Sequence, residues 1–167
     1  GNGKALHLSK RRTTMRDINE IQNNNAQMVL MSAARPDNST VQIEDRHAAL
    51  KSLVNNQLGL KSADVVGCFE GEKEPSLAII LNDPSDLPRL AILASEFGQH
   101  SILILGEHGA TLRDGRDARE LVIEDYMNGA GAAGNYIGIF RAVSEQEAHN
   151  HQGWSYVPVM NQYFTVV

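Results

Sequence analysis

Cysteine is almost absent from this sequence: Cys68 is the only one among 167 residues. A single cysteine excludes an internal disulfide framework, so we expect a protein of a reducing compartment such as the cytosol. A cysteine nucleophile needs a histidine partner, and the sequence assigns none to Cys68. We therefore predict that Cys68, between Gly67 and Phe69, is a small buried hydrophobic side chain.

A basic surface and a long apolar run are missing as well. The formal net charge is −5, the sequence pI is near 5.6, and the only dense basic run is Lys10–Arg12. A protein that tracks nucleic-acid phosphates normally has a basic face, so nucleic acid is not an expected partner. No apolar stretch is long enough to span a bilayer, and the first residues lack the apolar region of a signal peptide. These absences predict a soluble intracellular protein without nucleic-acid or membrane partners.

The composition is that of one globular domain preceded by a polar arm. Of all residues, 42% are hydrophobic and 21% are charged, which is enough for a sizeable core. Residues 1–26 are polar and end in Asn23–Asn25, so we expect an arm outside the core that packs on another surface, such as a second subunit. We predict a single α/β domain over residues 27–167, with a core at 27–106 and a C-terminal extension at 107–167.

Apolar periodicity and turn residues predict two helices and four strands. Continuous apolar runs indicate buried strands, and apolar residues at helical spacing followed by glycine indicate helices. In the second helix, Ser85 is the predicted N-cap, Pro88 lies in the first turn and Gly98 ends the helix. The order β-α-β-β-α-β is that of a ferredoxin-like sandwich, so we predict an α+β fold of this type with a C-terminal β extension. The predicted elements are strands 28–33, 65–69, 75–81 and 100–105 and helices 43–58 and 85–97.

The strands of this sandwich are apolar on both sides, as in Leu77–Leu81. Helices with one apolar stripe cover only one face of a sheet, so the other face needs the C-terminal segment or another subunit. Residues 111–114 and 136–143 are predicted to be further strands, and the glycine-alanine run 129–134 a flexible loop. That run lacks the strand-then-helix setting and the lysine of a phosphate-binding loop, so it does not indicate nucleotide binding.

Two polar residues stand at the predicted starts of two strands. Glu74 directly precedes the strand at 75–81, and Gln99 directly precedes the strand at 100–105. We expect these two strands to be neighbours in one sheet, so that a carboxylate and an amide meet at one end of it and form a candidate site. Each residue also has an ordinary explanation: Glu74 as an exposed carboxylate of an acidic hairpin, and Gln99 as a cap or a partner for a loose carbonyl.

Three further groups are candidate site residues, each with an ordinary alternative. Arg35 follows the first strand, where its guanidinium can clamp a carboxylate or form a surface salt bridge. Phe69 lies at the edge of the expected site, where its ring can attract a cation or pack in the core. His149 and His151 have no cysteine or carboxylate at a metal-binding spacing, so we predict a solvent-exposed loop and no metal site.

Taken in order, the segments around these residues resemble the phage S-adenosylmethionine (SAM) lyases, once called SAM hydrolases. The resemblance covers residues 27–105 and rests on the order and spacing of its pieces. It implies a trimer of compact α/β subunits with the ligand at subunit interfaces. The pieces are Val29–Arg35, Arg46–His47, Gly67–Phe69, Glu74 and Leu90–Gln99.

The resemblance also implies roles for individual residues. Glu74 is the essential carboxylate, and Gln99 is an amide that contacts the substrate. Ser32, Arg35 and Phe69 complete the predicted substrate-binding set. The family often has a tyrosine where this chain has Phe69, so shape and cation–π contact are the roles left to that ring.

The implied reaction converts SAM to methylthioadenosine and homoserine lactone by attack of the substrate's own carboxylate, with no cofactor and no metal. The sulfonium is already a good leaving group, so a carboxylate that binds the substrate cation and fixes the reactive conformer is sufficient. We predict a homotrimeric SAM lyase in the host cytoplasm that counteracts SAM-dependent restriction and methylation. Two alternatives stay open: a non-enzymatic virion or assembly module, and a sensor that binds SAM or a nucleotide without turnover.

Overall fold

One antiparallel sheet, with helices packed on it, forms the described part of the molecule. The computed structural model describes residues 28–83, 85–99, 101–106, 109–114 and 136–167. The predicted arm at 1–26 and the glycine-alanine run at 129–134 lie outside these residues. The strands are β1 Met28–Ser32, β2 Lys61–Phe69, β3 Glu72–Ile80, β4 Ser101–Gly106, β5 Gly109–Asp114, β6 Tyr136–Gly138, β7 Phe140–Val143, β8 Gly153–Val157 and β9 Gln162–Val166. The α-helices are α1 Thr40–Ser52, α2 Asp86–Glu96 and α3 Glu145–His149, with a π-helical turn at Leu53–Gln57 and a 3-10 turn at Pro158–Met160.

The sheet has nine strands in the order β6-β5-β4-β1-β3-β2-β8-β9-β7, and neighbouring strands pair antiparallel. Its two edge strands, β6 and β7, are separated in the chain only by Ile139. Ile139 exchanges two backbone hydrogen bonds with Val167, with N–O distances of 2.8 and 2.9 Å. The sheet therefore curls until its ends meet, and it forms a nearly closed barrel.

The predicted fold class is confirmed as α+β, but the sheet is not specifically ferredoxin-like. The predicted strands and helices of the core are present in the predicted order, and the strands expected at 111–114 and 136–143 correspond to β5, β6 and β7. A four-stranded sandwich leaves one sheet face open, and these strands are apolar on both faces. The five further strands therefore extend the sheet on both sides and curl it over its own open face.

Two apolar clusters lie on opposite faces of the sheet, which we call the outer and the inner face. On the outer face, α1 and α2 pack against alternate residues of β1, β3 and β4. On the inner face, the remaining residues of these strands meet side chains of the C-terminal segment. Of the two covers that the sequence left open, the C-terminal segment is the one observed. It contributes Phe140, Val143, Val157, Met160 and Phe164 to the buried set, and the rings of Phe140 and Phe164 stack with centroids 4.9 Å apart.

Helix α1 begins three residues earlier than the apolar pattern predicts, because its first turn is polar. Ser39 Oγ accepts a hydrogen bond from the Gln42 backbone N–H at 3.2 Å, and Gln42 Oε1 accepts one from the Ser39 N–H at 2.8 Å. This capping box satisfies two N–H groups at the helix start. The chain stays helical through Gln57, and Gly59 follows with a φ of 66°, as expected of a residue just past a helix.

Helix α2 ends at Gly98, as predicted, in a Schellman motif. Gly98 has a φ of 66°, and its N–H donates to the Ser95 carbonyl at 3.0 Å. The Gln99 N–H donates to the Ala94 carbonyl at 2.9 Å. These bonds fix the direction in which the chain leaves the helix, and thereby the place of Gln99 ahead of β4.

Ser85 occupies the N-cap position of α2, as predicted, but its side chain makes no capping hydrogen bond. Asp86, the next residue, is 7% exposed, and its Oδ2 accepts hydrogen bonds from the backbone N–H groups of Asn82 and Asp83 at 3.1 and 3.0 Å. These two N–H groups belong to the loop before α2, so Asp86 fixes that loop against the start of the helix. An acidic side chain in the first turn also complements the helix dipole.

We expect Asp86→Ala to lower the free energy of unfolding by about 2 kcal/mol, because two backbone N–H groups lose their acceptor. Urea unfolding of the purified protein measures this change. Ser85→Ala is the matched control, and we expect it to change stability by less than about 0.5 kcal/mol. Equal losses in the two variants would contradict the role of Asp86 in holding the loop before α2.

Candidate functional site

Three predicted site residues lie at the same end of the sheet, on its central strands or next to them. Both β3 and β4 run antiparallel to β1, so their starts lie beside the end of β1. Glu74 is near the start of β3, Gln99 lies just ahead of β4, and Ser32 is the last residue of β1. The expectation that the strands of Glu74 and Gln99 are neighbours is wrong, because β1 lies between β3 and β4. One strand, β1, therefore separates the strands of Glu74 and Gln99 at this end of the sheet.

Glu74 lies on the inner face of the sheet among small residues. Side chains alternate along a strand, so Glu74 shares its face with Ser76 and Ala78. Ser76 pairs with Ser32 of β1, and Gly67 of β2 is directly opposite Glu74. A Cβ atom on Gly67 would lie 3.0 Å from Ser76 Oγ. Glycine at this position therefore lets the Ser76 hydroxyl approach β2 closely, which a larger residue would prevent.

The Glu74 carboxylate has no ionic partner in the part of the chain that the structure describes. Its side chain reaches solvent, yet the protein around it withdraws enough water that burial raises the pKa of the carboxyl above 4.5. The two observations agree if the carboxylate lies at the mouth of the barrel, half surrounded by protein. A carboxylate in this state gains free energy when a cationic ligand neutralises it.

Phe69 is on the inner face with Gly67 and Glu74, at the end of β2. Its ring is 59% exposed, so the core interpretation of this residue is wrong. The strand turns back immediately after it through Glu70 and Gly71, both with positive φ, which is the geometry of a tight two-residue hairpin. The hairpin leaves the Phe69 ring exposed to solvent on the same sheet face as Glu74, where a cation can approach the ring.

Ser32 is 3% exposed, and its hydroxyl is engaged within the fold. Ser32 Oγ donates a hydrogen bond to the Pro75 carbonyl at 2.8 Å and accepts one from the Ala34 N–H at 3.0 Å. The residue thereby ties the end of β1 to the backbone next to Glu74. Its predicted contact with a substrate stays a prediction.

Gln99 and Arg35 bond to backbone carbonyls where β1 ends and α2 ends. Gln99 is 5% exposed, and its Nε2 donates to the Ala34 carbonyl at 3.1 Å. Arg35 Nη1 donates to the Gly98 carbonyl. The Gln99 contact matches its ordinary alternative, a partner for a loose carbonyl. The Arg35 contact is with a backbone carbonyl, so it is neither the carboxylate clamp nor the surface salt bridge considered for it. The predicted roles of Gln99 and Arg35 toward a substrate stay predictions.

Sequence reasoning missed an ionic network on the outer face of β2. Asp64 Oδ1 lies 3.0 Å from His47 Nε2, and Asp64 Oδ2 accepts a hydrogen bond from Lys51 Nζ at 2.8 Å. Burial alone would raise the pKa of Asp64, but the hydrogen bonds from Lys51 and His47 outweigh it and hold the pKa below 3.8. The spacing of His47 and Lys51 on one helix face was visible, but nothing in the sequence linked them to Asp64.

An open groove of about 390 Å³ lies beside this network. His47 borders it from α1, and its Nδ1 is buried without a hydrogen-bond partner among the described residues. The groove brings the outer-face network close to the strand that carries Glu74. Its lining residues are His47, Asp64, Val65, Val66, Lys73, Glu74, Pro75 and Pro158.

The remaining candidates are placed as follows. Cys68 is buried, as predicted. His149 is exposed, as predicted, but it ends α3 instead of lying in a loop, and its ring is 5.2 Å from Trp154 and 5.8 Å from Tyr163. The described residues contain no group of three or more metal-ligating side chains. None of the described helices has the length and apolar character needed to cross a membrane.

Fold and site together define an α+β protein with a curled antiparallel sheet and a partly desolvated carboxylate that has no ionic partner among the described residues. The family model of the S-adenosylmethionine lyases matches residues 29–167, so the chain belongs to the S-adenosylmethionine lyase family. This match confirms the resemblance found in the sequence and extends it through the C-terminal strands. A search of curated proteins found no match. Family membership implies a lyase that acts on SAM.

We expect Glu74→Gln to stabilise the protein at pH 7. The folded state holds the Glu74 proton more tightly than the unfolded chain, so its stabilising contribution is complete below about pH 4.5 and is lost as pH rises through the folded pKa. Glutamine does not ionise and avoids this loss. Thermal unfolding at pH 4 and pH 7 measures the effect.

The control for this prediction is Glu72→Gln, on the same strand and face and exposed. We expect it to leave the melting temperature nearly unchanged at both pH values. A Glu74→Gln protein that is less stable than wild type at pH 7 would show that the carboxylate has a partner in the free protein.

Proposed function

We propose that this protein degrades SAM to methylthioadenosine and homoserine lactone, and that Glu74 is the carboxylate that holds the substrate cation. The observation that supports this most directly is that Glu74 lacks an ionic partner in the described chain while burial raises its pKa. Carboxylates whose pKa is raised by burial are often found at functional sites. Membership of the SAM lyase family supplies the substrate class.

The proposed reaction takes place within the substrate. An oxygen of the SAM carboxylate attacks the γ-carbon, the bond between the γ-carbon and sulfur breaks, and its electron pair passes to sulfur. The products are the neutral thioether methylthioadenosine and homoserine lactone, and no proton is transferred. Attacking carboxylate and leaving sulfonium lose their opposite charges together, so a site with less water than bulk solvent favours the step.

The protein's contribution in this mechanism is orientation. SAM in water is extended for most of the time, and a folded conformer must be held for its carboxylate to reach the γ-carbon. Glu74 fixes the ammonium or the sulfonium, and the exposed Phe69 ring offers a second surface to the cation.

We further propose that the protein acts in the cytoplasm of a phage-infected host, where loss of SAM would deprive restriction and methylation enzymes of their cofactor. The support is the likeness of residues 27–105 to phage SAM lyases, together with the family match. The proposal fits a site built for consumption of SAM, since the products cannot be reused as methyl donors.

The proposed assembly is a homotrimer with sites at the subunit interfaces. Several large apolar side chains are exposed on the single chain, among them Phe69 at the mouth beside Glu74. A partner subunit that covers Phe69 would remove water from the Glu74 carboxylate and strengthen its hold on a cation. The other exposed large apolar side chains include Val41, Leu112, Ile137, Ile139 and Val159.

We expect purified protein to convert SAM to methylthioadenosine, and Glu74→Gln to lower the turnover by at least about 10²-fold, because the neutral amide removes the charge that orients the substrate. Chromatographic separation of the products measures the rate. Glu72→Gln is the matched control and is expected to keep wild-type turnover. Absence of methylthioadenosine from the wild-type reaction, or full activity in Glu74→Gln, would refute the mechanism.

A second measurement separates the lyase from the two alternatives. A lyase trimer has a discrete mass near three times 18.3 kDa and a melting temperature that SAM or a methylthioadenosine product raises. A sensor shows the thermal shift without products. A virion or assembly module shows large or polydisperse particles and no shift. Light scattering with a thermal-shift assay therefore decides among the three.

A further inference from the structure

Arg46 of α1 makes a bidentate contact that joins three elements near the site. Its Nε donates to the Ala33 carbonyl and its Nη2 to the Phe97 carbonyl, both at 2.6 Å. Its guanidinium also lies over the Phe97 ring, with the carbon 5.4 Å from the centroid. One planar, half-buried side chain thus ties α1 to the end of β1 and to the end of α2.

The carbonyls of Ala33 and Phe97, which accept from Arg46, lie next to the two residues joined by the Gln99 hydrogen bond. Ala33 directly precedes Ala34, whose carbonyl accepts from Gln99 Nε2 at 3.1 Å. Phe97 stands two residues before Gln99, and the Gly98 carbonyl between them accepts from Arg35. The backbone on both sides of the Gln99 contact is therefore fixed by arginine side chains.

The same network continues to the backbone next to Glu74. The Ala34 N–H donates to Ser32 Oγ at 3.0 Å, and Ser32 Oγ donates to the Pro75 carbonyl at 2.8 Å. Hydrogen bonds therefore run without interruption from Gln99 through Ala34 and Ser32 to the residue that follows Glu74. A displacement at one end of such a chain of bonds changes the distance between the Gln99 and Glu74 side chains.

We propose that Arg46 is a positioning residue, which sets the place of Gln99 and of the β1 end relative to Glu74. This inference rests on the proposed function, because it assigns Arg46 a part in SAM turnover through groups that Arg46 itself holds. A lysine cannot replace it, since one ammonium does not reach two carbonyls in the fixed geometry of a guanidinium. Arg46 also neutralises carbonyls at the C-terminal end of α2, so a purely structural role is the competing explanation.

The experiment compares Arg46→Lys and Arg46→Ala with wild type, and uses Arg89→Ala as the control, since Arg89 is an exposed arginine on α2. SAM turnover is measured well below the unfolding temperature of each variant, so that folded protein is compared with folded protein. We expect Arg46→Lys to fold and to lose about 10²-fold in kcat, the loss associated with a displacement of about 1 Å at a site. Arg89→Ala is expected to keep wild-type kcat.

The side-chain amide signals of Gln99 in a ¹⁵N-labelled sample give a second readout that does not depend on turnover. Gln99→Glu assigns them by their loss. We expect them to shift in Arg46→Lys and to stay in place in Arg89→Ala. A lower melting temperature with unchanged kcat, or unmoved Gln99 signals, would overturn the inference and leave Arg46 a structural residue.

The two readouts also distinguish failure of this inference from failure of the proposed function. If wild-type protein yields no methylthioadenosine, the proposed function fails, and the Gln99 signals alone decide whether Arg46 positions that side chain. If wild type is active and Arg46→Lys is as active as wild type, the function stands and the positioning role falls.

Discussion

The apolar character of β1 and β3 on both faces is the constraint on which the rest of the structure depends. Val29 and Met31 of β1 belong to the outer cluster, whereas Met28 and Leu30 belong to the inner one. A strand of this kind is stable only when both faces are covered. The helices cover the outer face, and the C-terminal strands curl the sheet over its inner face. Because the curled sheet encloses that face, an inner-face carboxylate reaches water at the mouth, which is where Glu74 lies.

Two carboxylates on the paired strands β2 and β3 have pKa values shifted in opposite directions. Asp64 on the outer face has Lys51 and His47 as partners, and its pKa is lowered. Glu74 on the inner face has no ionic partner within the described chain, and burial raises its pKa. The first carboxylate is engaged in holding α1 on β2. The second is held where burial disfavours its ionised form, and in the proposed function the substrate cation is its partner.

The sequence predicted what local patterns determine and missed what distant contacts determine. Apolar runs located β1 through β4, and the left-handed preference of glycine located the end of α2 at Gly98. The sequence located Ser85 at the N-cap, but the hydrogen bonds of Asp86 depend on how the preceding loop folds, which no local pattern contains. The ion pairs of Asp64 with α1 and the position of β1 between β3 and β4 depend on contacts between residues far apart in the sequence. For the site, Glu74 could be singled out from its position before an apolar run, but its lack of a partner is a property of the folded chain.

The polar side chains around the site differ in whether they already form hydrogen bonds within the fold. Ser32, Arg35 and Gln99 all bond to backbone carbonyls, so their main effect is to fix the backbone around the edge. Such groups suit a reaction whose bonds are made and broken within one substrate, because that reaction needs a held conformation more than it needs a donor or acceptor of protons. In the proposed mechanism the Glu74 charge orients the substrate, and the carbonyls that arginine and glutamine side chains hold keep the backbone around that charge in place.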